Sequence, residues 1–237
     1  MNTTDTPAKM RLSLSQPAPE MLPAKPVRTR LAIFGGSFNP VHNGHLSLAG
    51  HIIREGLADE VLFVPSGIPP HKPCEGLVPG ADRLAMLTEA VKLFPQFSVS
   101  DIELLRPDVP SYTISTLDML RAAYPEKEIY FLMGMDCLAE LHTWHRAPEL
   151  VSQFNFIIYP RPGVAQVKLP ELGDLFGGRN ANKLTAAVID APLLPVAATA
   201  IRALCATGKP LAGLVPEGVI RYIEEHKLYG AAATKES

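Results

Sequence analysis

The chain has 237 residues, 47% of them hydrophobic, which is enough to bury the core of one α/β domain. Its formal net charge is −2 and it shows no basic stripe, so a broad nucleic-acid-binding surface is disfavoured and we expect no nucleic acid partner. The three cysteines are far apart and form neither a CxxC pair nor a zinc-site spacing, which favours a reducing, cytoplasmic setting.

Composition divides the chain into three parts. Residues 1–28 are rich in Pro, Ser, Thr and Ala and lack the apolar stretch of a signal peptide, so they are predicted to be a disordered tail. Residues 29–230 are predicted to form one domain, and 231–237 a short C-terminal tail. No apolar run is long enough to cross a bilayer, so we expect no membrane contact.

Strands and helices alternate along the predicted domain. Short apolar runs predict six strands, at 31–34, 60–64, 97–101, 128–134, 154–159 and 187–190. Helical spacing predicts helices at 46–53, 82–94, 113–123, 136–140, 147–153, 169–176, 199–207 and 216–226. This alternation predicts a Rossmann-like, doubly wound parallel sheet with C-terminal helices. On the second helix Arg83 is expected to face outward, and Arg106, further along, is also expected at the surface.

Residues 31–46, LAIFGGSFNPVHNGHL, are the most informative stretch. An apolar strand ends at two glycines, where the backbone turns sharply, and a helical pattern follows. His42 and His45 are three positions apart, a spacing that puts both rings on one side of the first helical turn. Backbone N–H groups of the loop and the positive end of the helix dipole suit a phosphate group.

Three loops and Arg161 are predicted to meet at one edge of the sheet. The loops at 35–45, 65–72 and 134–136, together with Arg161, all follow strands, and ligands of such sheets bind off the carboxyl ends of the strands. A dinucleotide-binding dehydrogenase would need GxGxxG at the first turn. Here the loop is Gly-Gly-Ser-Phe-Asn-Pro, with Pro40 where that helix would begin, so the dehydrogenase interpretation is rejected.

The loop string resembles the GxFxPxHxGH signature of the nucleotidyltransferase superfamily. Further stretches resemble bacterial nicotinate-mononucleotide adenylyltransferase: IPPHK at 68–72, SYT at 111–113, GMD at 134–136 followed by HTW at 142–144, and VAATAIR at 196–202. The last is similar to that family's ISxTxIR, with Thr199 and Arg202 matching and Ala197 in place of serine. Asn39 stands where an aspartate is common.

The resemblance implies transfer of the adenylyl group of ATP to nicotinate mononucleotide, by direct in-line attack, with Mg²⁺ carried by ATP. It implies that His42, His45 and Arg202 are catalytic. The implied ATP-binding residues are Gly35, Gly36, Ser37, Phe38, His42, His45, Gly134, Asp136, Thr199 and Arg202. The implied nicotinate mononucleotide-binding residues are Ser37, Lys72, Tyr112, Thr113, Trp144 and Arg161. Thr199 is expected to cap its helix as well.

Two alternatives remain open at this stage. Pantetheine-phosphate adenylyltransferase shares the GxFxPxHxGH string, but that family is shorter, has a lysine at the position of Arg202 and lacks the SYT segment. Cytidylyltransferases are more distant for the same reasons. The second alternative is a non-catalytic nucleotide-binding module of the same fold, against which the presence of His42, His45 and Arg202 argues. The oligomeric state is left open.

Overall fold

The computed structural model describes residues 28–68, 76–192 and 196–230. Within these ranges one parallel sheet is formed by β1 Arg30–Gly36, β2 Glu60–Pro65, β3 Phe97–Val99, β4 Glu128–Gly134 and β5 Asn155–Tyr159, in the order β3-β2-β1-β4-β5. The predicted fold class is confirmed. The predicted tails at 1–28 and 231–237 fall, apart from Arg28, outside the described residues.

Helices connect these strands and follow the sheet. They are α1 Asn43–Arg54, α2 Gly80–Val91, α3 Thr113–Ala123, α4 Met135–Glu140, α5 Ala147–Gln153, α6 Leu169–Phe176, α7 Gly178–Ala186, α8 Ala198–Ala206 and α9 Glu217–Glu225. Short 3-10 turns occupy Leu141–Thr143 and Leu228–Gly230. Among the described residues, no helix is long and apolar enough to cross a membrane.

Both faces of the sheet are buried, which explains why its strands read as nearly continuous apolar runs. Successive side chains of β1 alternate between the faces. Ala32 and Phe34 belong to a core shared with α1, α2, α8 and α9. Leu31 and Ile33 belong to the opposite core, which is shared with α3, α5 and α7. The C-terminal helices therefore pack on the same side of the sheet as α1.

The strand order reverses between β1 and β4. From β1 the chain moves outward through β2 to β3, and it then returns to place β4 on the other side of β1. The carboxyl ends of neighbouring strands diverge at such a reversal and leave a crevice for a ligand. The turn after Gly36 and the turn after Gly134 border this crevice, as expected from the sequence.

Two sequence predictions about the fold are wrong. The sixth strand reduces to one parallel bridge between Val188 and Ile158, because α7 continues to Ala186 and leaves too few extended residues beside β5. Arg83 is not outward: it is 2% exposed, and its guanidinium donates from Nη1 to the Ser37 carbonyl at 2.9 Å and from Nε to the Val78 carbonyl at 3.1 Å. Those carbonyls hold the side chain beneath the loop at 35–45, called the glycine loop below.

Candidate active site

The turn after β1 is built over a buried phenylalanine. Phe38 is 2% exposed, and its ring makes edge-to-face contacts with Phe34 at 5.5 Å and Phe63 at 5.7 Å between centroids. A β-carbon on Gly36 would lie 3.2 Å from the Phe38 ring, so glycine leaves the ring room beneath the loop. The Phe38 side chain is therefore core, and its predicted part in ATP binding rests on its backbone N–H.

Two histidine rings stack at the start of α1. His42 is the N-cap residue and His45 lies in the first turn, with ring centroids 3.6 Å apart and planes 21° from parallel. The backbone N–H of His42 donates to Nδ1 of His45 at 3.1 Å. In a neutral His45 ring the proton is then assigned to Nε2, which becomes a hydrogen-bond donor. Phe34 and Phe38 support the His45 ring at centroid distances of 5.7 and 5.0 Å.

Burial keeps this histidine pair uncharged near neutral pH. His42 is 7% exposed, and burial, followed by the nearby charge of Arg161, lowers its pKa to about 4. Burial also lowers the pKa of His45 well below its usual value, with His42 and Arg161 contributing. Nδ1 of His42 is buried and has no hydrogen-bond partner within the described ranges. Such a buried polar atom calls for a partner, which a bound ligand can supply.

A second helix begins beside the first. The backbone N–H of Asn43 donates to the Leu214 carbonyl at 2.9 Å. A β-carbon on Gly44 would lie 3.6 Å from Cβ of Val196, two residues before α8, and 3.0 Å from the His42 ring. Glycine at position 44 therefore leaves room for the His42 ring, and Val196 lies at an ordinary contact distance. Two helix N-termini are brought together, where backbone N–H groups and helix dipoles favour an anion.

Arg202 extends from α8 back to the glycine loop. Its Nη1 donates to the Asn39 carbonyl at 2.8 Å, and its Nη2 donates to Oγ1 of Thr199 at 3.3 Å. These bonds orient the guanidinium but use only two of its five N–H groups, so the planar fork retains donors for phosphate oxygens. Arg202 and the histidine pair, predicted separately from sequence, thus border the same short loop, Arg202 at Asn39 and the pair at its C-terminal end.

Thr199 does not cap α8, and that expectation is wrong. The helix begins at Ala198, one residue earlier than predicted, so Ala197 is the N-cap residue and Thr199 is the second helical residue. The Thr199 hydroxyl accepts a hydrogen bond from Arg202 instead. Because alanine has no side-chain oxygen, the first N–H groups of α8 receive no cap from position 197.

Asp136 and Arg161 cross over the end of β4. Oδ1 of Asp136 lies 3.3 Å from Nε of Arg161, and Nη2 of Arg161 donates to the Tyr159 hydroxyl at 2.9 Å. A β-carbon on Gly134 would lie 2.3 Å from that aspartate oxygen, so the crossing requires glycine or displaced side chains. Next to these residues is a cavity of about 330 Å³, whose lining comprises Met135, Pro160, Val164, Gln166, Val188, Ile189 and Asp190.

The SYT segment meets the segment after Trp144. Tyr112 is the N-cap residue of α3, and its ring stacks on His145 with centroids 4.2 Å apart. The Ser111 N–H donates to the carbonyl of Ile68 at 2.8 Å, which joins the start of α3 to the loop after β2. Three stretches that are distant in sequence therefore converge at the N-terminus of α3.

Glu103 braces this convergence from below. Its carboxylate accepts the backbone N–H of Gly67 at 3.2 Å and the hydroxyl of Thr116 at 2.7 Å. Trp144 is half-buried, with its ring edge-to-face against Phe131 at 6.1 Å. Lys72 belongs to residues 69–75, which are outside the described part of the chain, so its proposed binding role stays a prediction.

Sequence reasoning missed three residues that hold the site together. Arg83 shares helical spacing with buried Met86, Leu87 and Ala90, a signal that places it on the core face. Asn39 was noted only as a departure from the family, and Tyr229 not at all, although its hydroxyl donates to Oδ1 of Asn39. That contact joins residues 190 positions apart, and no local pattern announces it.

Comparison with known proteins finds a matching family model and similar relatives. The sequence model of the Cytidylyltransferase-like family matches residues 33–204. A probable nicotinate-nucleotide adenylyltransferase of Synechococcus sp. is 39% identical over 212 residues, covering 88% of this chain and 99% of the relative. One of Symbiobacterium thermophilum is 39% identical over 204 residues, covering 84% and 95%.

A solved structure supports the fold. Plasmodium falciparum nicotinic acid mononucleotide adenylyltransferase, complexed with NaAD, matches with a TM-score of 0.68 and 19% identity, covering 86% of this chain and 98% of that one. The sheet and the family match together define a nucleotidyltransferase-type α/β protein. At the identities found among curated relatives, the chain belongs to the nicotinate-nucleotide adenylyltransferase family, and the resemblance seen in its sequence is confirmed.

The buried histidine pair makes folding stability sensitive to acid. An exposed imidazole has a pKa of about 6.5. Since the pKa of folded His42 is lowered to about 4, the unfolded chain binds more protons between these values. The contribution of neutral His42 to folding stability is complete above about pH 6.5 and is lost as the pH falls to about 4. We therefore test His42→Asn, because asparagine still suits an N-cap position. In urea titrations, we expect its free energy of unfolding to fall by on the order of 3 kcal/mol less than that of the wild type between pH 7 and 4. Parallel pH profiles for the two proteins would contradict this.

Ala197→Ser should supply the missing cap of α8. We expect the free energy of unfolding to rise by about 1 kcal/mol, because the serine hydroxyl can accept an N–H of the first turn. The matched control is Ala203→Ser, an exposed position inside the same helix, where serine is mildly unfavourable. Chemical denaturation of the three proteins measures the difference, and equal behaviour of the two serine variants would refute the capping argument.

Proposed function

We propose that the chain transfers the adenylyl group of ATP to nicotinate mononucleotide, forming nicotinate adenine dinucleotide and pyrophosphate in NAD biosynthesis. The observation that carries this proposal is the stacked His42–His45 pair at one end of the loop whose Asn39 carbonyl holds Arg202. Membership of the nicotinate-nucleotide adenylyltransferase family supports the choice of substrates.

The transfer needs no enzymic base. The phosphate of nicotinate mononucleotide is largely dianionic near neutral pH, because the second pKa of a phosphate monoester is about 6. One of its oxygens attacks the α-phosphorus of ATP in line, and the bond from that phosphorus to the bridging oxygen breaks to release pyrophosphate. No covalent enzyme intermediate is formed. The chain's task is to align two anions and to stabilise charge on the phosphoryl oxygens.

The triphosphate lies, in this proposal, between the N-termini of α1 and α8. Backbone N–H groups of residues 35–38 and the Nε2–H of His45 donate to its oxygens, and His42 offers the buried nitrogen that has no partner in the described chain. Thr199 and the remaining N–H groups of Arg202 bind from the α8 side. An arriving polyanion favours the protonated form of both imidazoles, so the pair gains positive charge when ATP binds.

The adenosine half of ATP fits beside the end of β4. The cavity of about 330 Å³ has apolar walls at Met135, Val188 and Ile189, which suit a purine ring. Asp136, held by Arg161 above Gly134, lies at the mouth of the crevice and provides a carboxylate for the ribose hydroxyls. Gly134 and Asp136 retain the ATP-binding roles proposed for them from sequence.

Nicotinate mononucleotide binds, in this proposal, at the N-terminus of α3. The N–H of Thr113 and its successors begin the helix, where N–H groups have no intrahelical partner and the dipole favours the nicotinate carboxylate. Tyr112 and the half-buried Trp144 offer aromatic faces for the pyridine ring. Ser37, Arg161 and Lys72 are proposed for the mononucleotide phosphate. Amide donors favour a carboxylate over a carboxamide, so the acid form is preferred.

Mg²⁺ is proposed to enter with ATP. Within the described residues, no cluster of three or more His, Cys, Asp or Glu side chains is placed to hold a metal ion. The groups bordering the crevice are N–H donors and cations, and the Asp136 carboxylate lies against Arg161, a donor set that fits an ion held by the triphosphate oxygens. When bound, Mg²⁺ neutralises part of the phosphate charge. A cytoplasmic setting is proposed with it.

Substrate choice is tested by pyrophosphate release from ATP and Mg²⁺ with one acceptor at a time. We expect turnover with nicotinate mononucleotide, and a lower kcat/KM with nicotinamide mononucleotide because the amide form lacks the charge that the start of α3 attracts. Pyrophosphate release with phosphopantetheine, and with neither mononucleotide, would show that the proposed acceptor is wrong. ATP binding without turnover on any acceptor would favour the non-catalytic module.

His45→Asn tests the histidine pair. The asparagine oxygen can still accept the His42 N–H, but no atom replaces Nε2. We expect kcat to fall by about 10²–10³-fold, as when a preorganised donor to a developing anion is removed. His226→Asn, an exposed histidine on the C-terminal side of α9, serves as control and should retain wild-type kcat. A His45 variant as active as that control would refute the catalytic role.

A further inference from the structure

Asn39 is a buried junction beneath the phosphate site. It is 6% exposed, and its Nδ2 donates to the Gly76 carbonyl at 2.8 Å. Its Oδ1 accepts the hydroxyl of Tyr229 at 2.8 Å and the N–H of Val78 at 3.3 Å, while its backbone carbonyl accepts Nη1 of Arg202. One residue therefore joins the glycine loop, the segment before α2, α8 and the turn after α9.

Tyr229 is held in an unfavourable backbone conformation to make its contact. Its φ is 58°, in the left-handed region that a large side chain rarely adopts. Its ring is half-buried against the core shared by α1, α8 and α9. Burial raises the pKa of its hydroxyl, so the group stays protonated and acts as a donor. The unfavourable φ of Tyr229 thus places its hydroxyl within hydrogen-bonding distance of Asn39.

Arg202 depends on this junction for its direction. A guanidinium on a flexible side chain loses entropy when it is fixed for phosphate binding, and prior hydrogen bonds reduce that cost. Here the Asn39 carbonyl and the Thr199 hydroxyl hold both terminal nitrogens. If Asn39 shifts, the Nη1 acceptor shifts with it.

We propose that Tyr229 is a positioning residue for the ATP phosphate site, acting through Asn39 on Arg202. The hydroxyl of Tyr229 fixes the side chain of Asn39, and the backbone carbonyl of Asn39 fixes the Arg202 guanidinium. The guanidinium in turn binds the triphosphate. The binding of the ATP triphosphate by Arg202 rests on the proposed function. The turn after α9 is then part of the ATP site, although it contributes no group that contacts the ligand.

Tyr229→Phe removes the hydroxyl and keeps the ring. Loss of one hydrogen bond in this chain should raise the Kd for ATP, measured by calorimetry, and the KM for ATP about fivefold. The KM for nicotinate mononucleotide should change by less than about twofold, since α3 is not connected to Tyr229 by these bonds. An unchanged ATP Kd would overturn the proposal.

Tyr222→Phe is the matched control. It removes a hydroxyl from α9 that donates to Oδ1 of Asp82 at 3.0 Å, without a bond to Asn39. Thermal unfolding of both variants measures the general loss of stability, and only Tyr229→Phe should weaken ATP binding. Equal weakening by both variants would reduce the effect of Tyr229 to stability and overturn a positioning role.

The decisive measurement repeats Tyr229→Phe in an Arg202→Ala background. If the hydroxyl acts through Arg202, its loss should then change the ATP Kd by less than about 1.5-fold, because the two effects are coupled. Additive effects would overturn the proposed route. Binding and turnover separate the two proposals: a wild type that binds ATP but does not adenylylate nicotinate mononucleotide would disprove the function, and the ATP Kd would still decide the role of Tyr229.

Discussion

The close turn of the backbone after β1 is the constraint on which the rest of the structure depends. Glycine at position 36 lets the Phe38 ring pass beneath the loop, and the ring then becomes part of the wall that supports His45. Arg83 holds the same loop from below through the Ser37 carbonyl. The core and the site are thus one packing arrangement, in which residues that fill the interior also set the height and orientation of the stacked histidines.

Electrostatic balance follows from that arrangement. Two imidazoles stacked against aromatic rings cannot easily both be charged, and Arg161 adds further positive potential. Helix N-termini, the Arg202 guanidinium and neutral donors are therefore assembled around the loop, and Asp136 offsets part of the charge of Arg161. In the proposed function, a bound polyanion offsets this positive potential, and the same groups favour a chain of phosphates.

Sequence reasoning was most accurate for elements whose apolar residues recur at regular spacing. The boundaries of α3, β4, α5 and α6 follow from apolar spacing and agree with the structure residue for residue. The prediction of a sixth strand was wrong because three apolar residues, Ala187 to Ile189, do not reveal how much of β5 is available for pairing. The capping role predicted for Thr199 was wrong because α8 begins one residue earlier than predicted. The roles of Asn39 and Tyr229 depend on a contact between distant segments, which no periodicity encodes, and the assigned ligand-binding residues stay predictions.

The bond between Tyr229 and Asn39 has a consequence for the order of folding. Local helices and neighbouring strands can form early, but a contact that spans 190 residues closes only after most of the chain has been brought together. An intermediate with a native-like sheet would therefore lack this bond, and Asn39 would not yet be fixed in the position from which its backbone carbonyl accepts Arg202. Nucleotide affinity would develop later than secondary structure during refolding, and it would report the completed topology rather than the sheet alone.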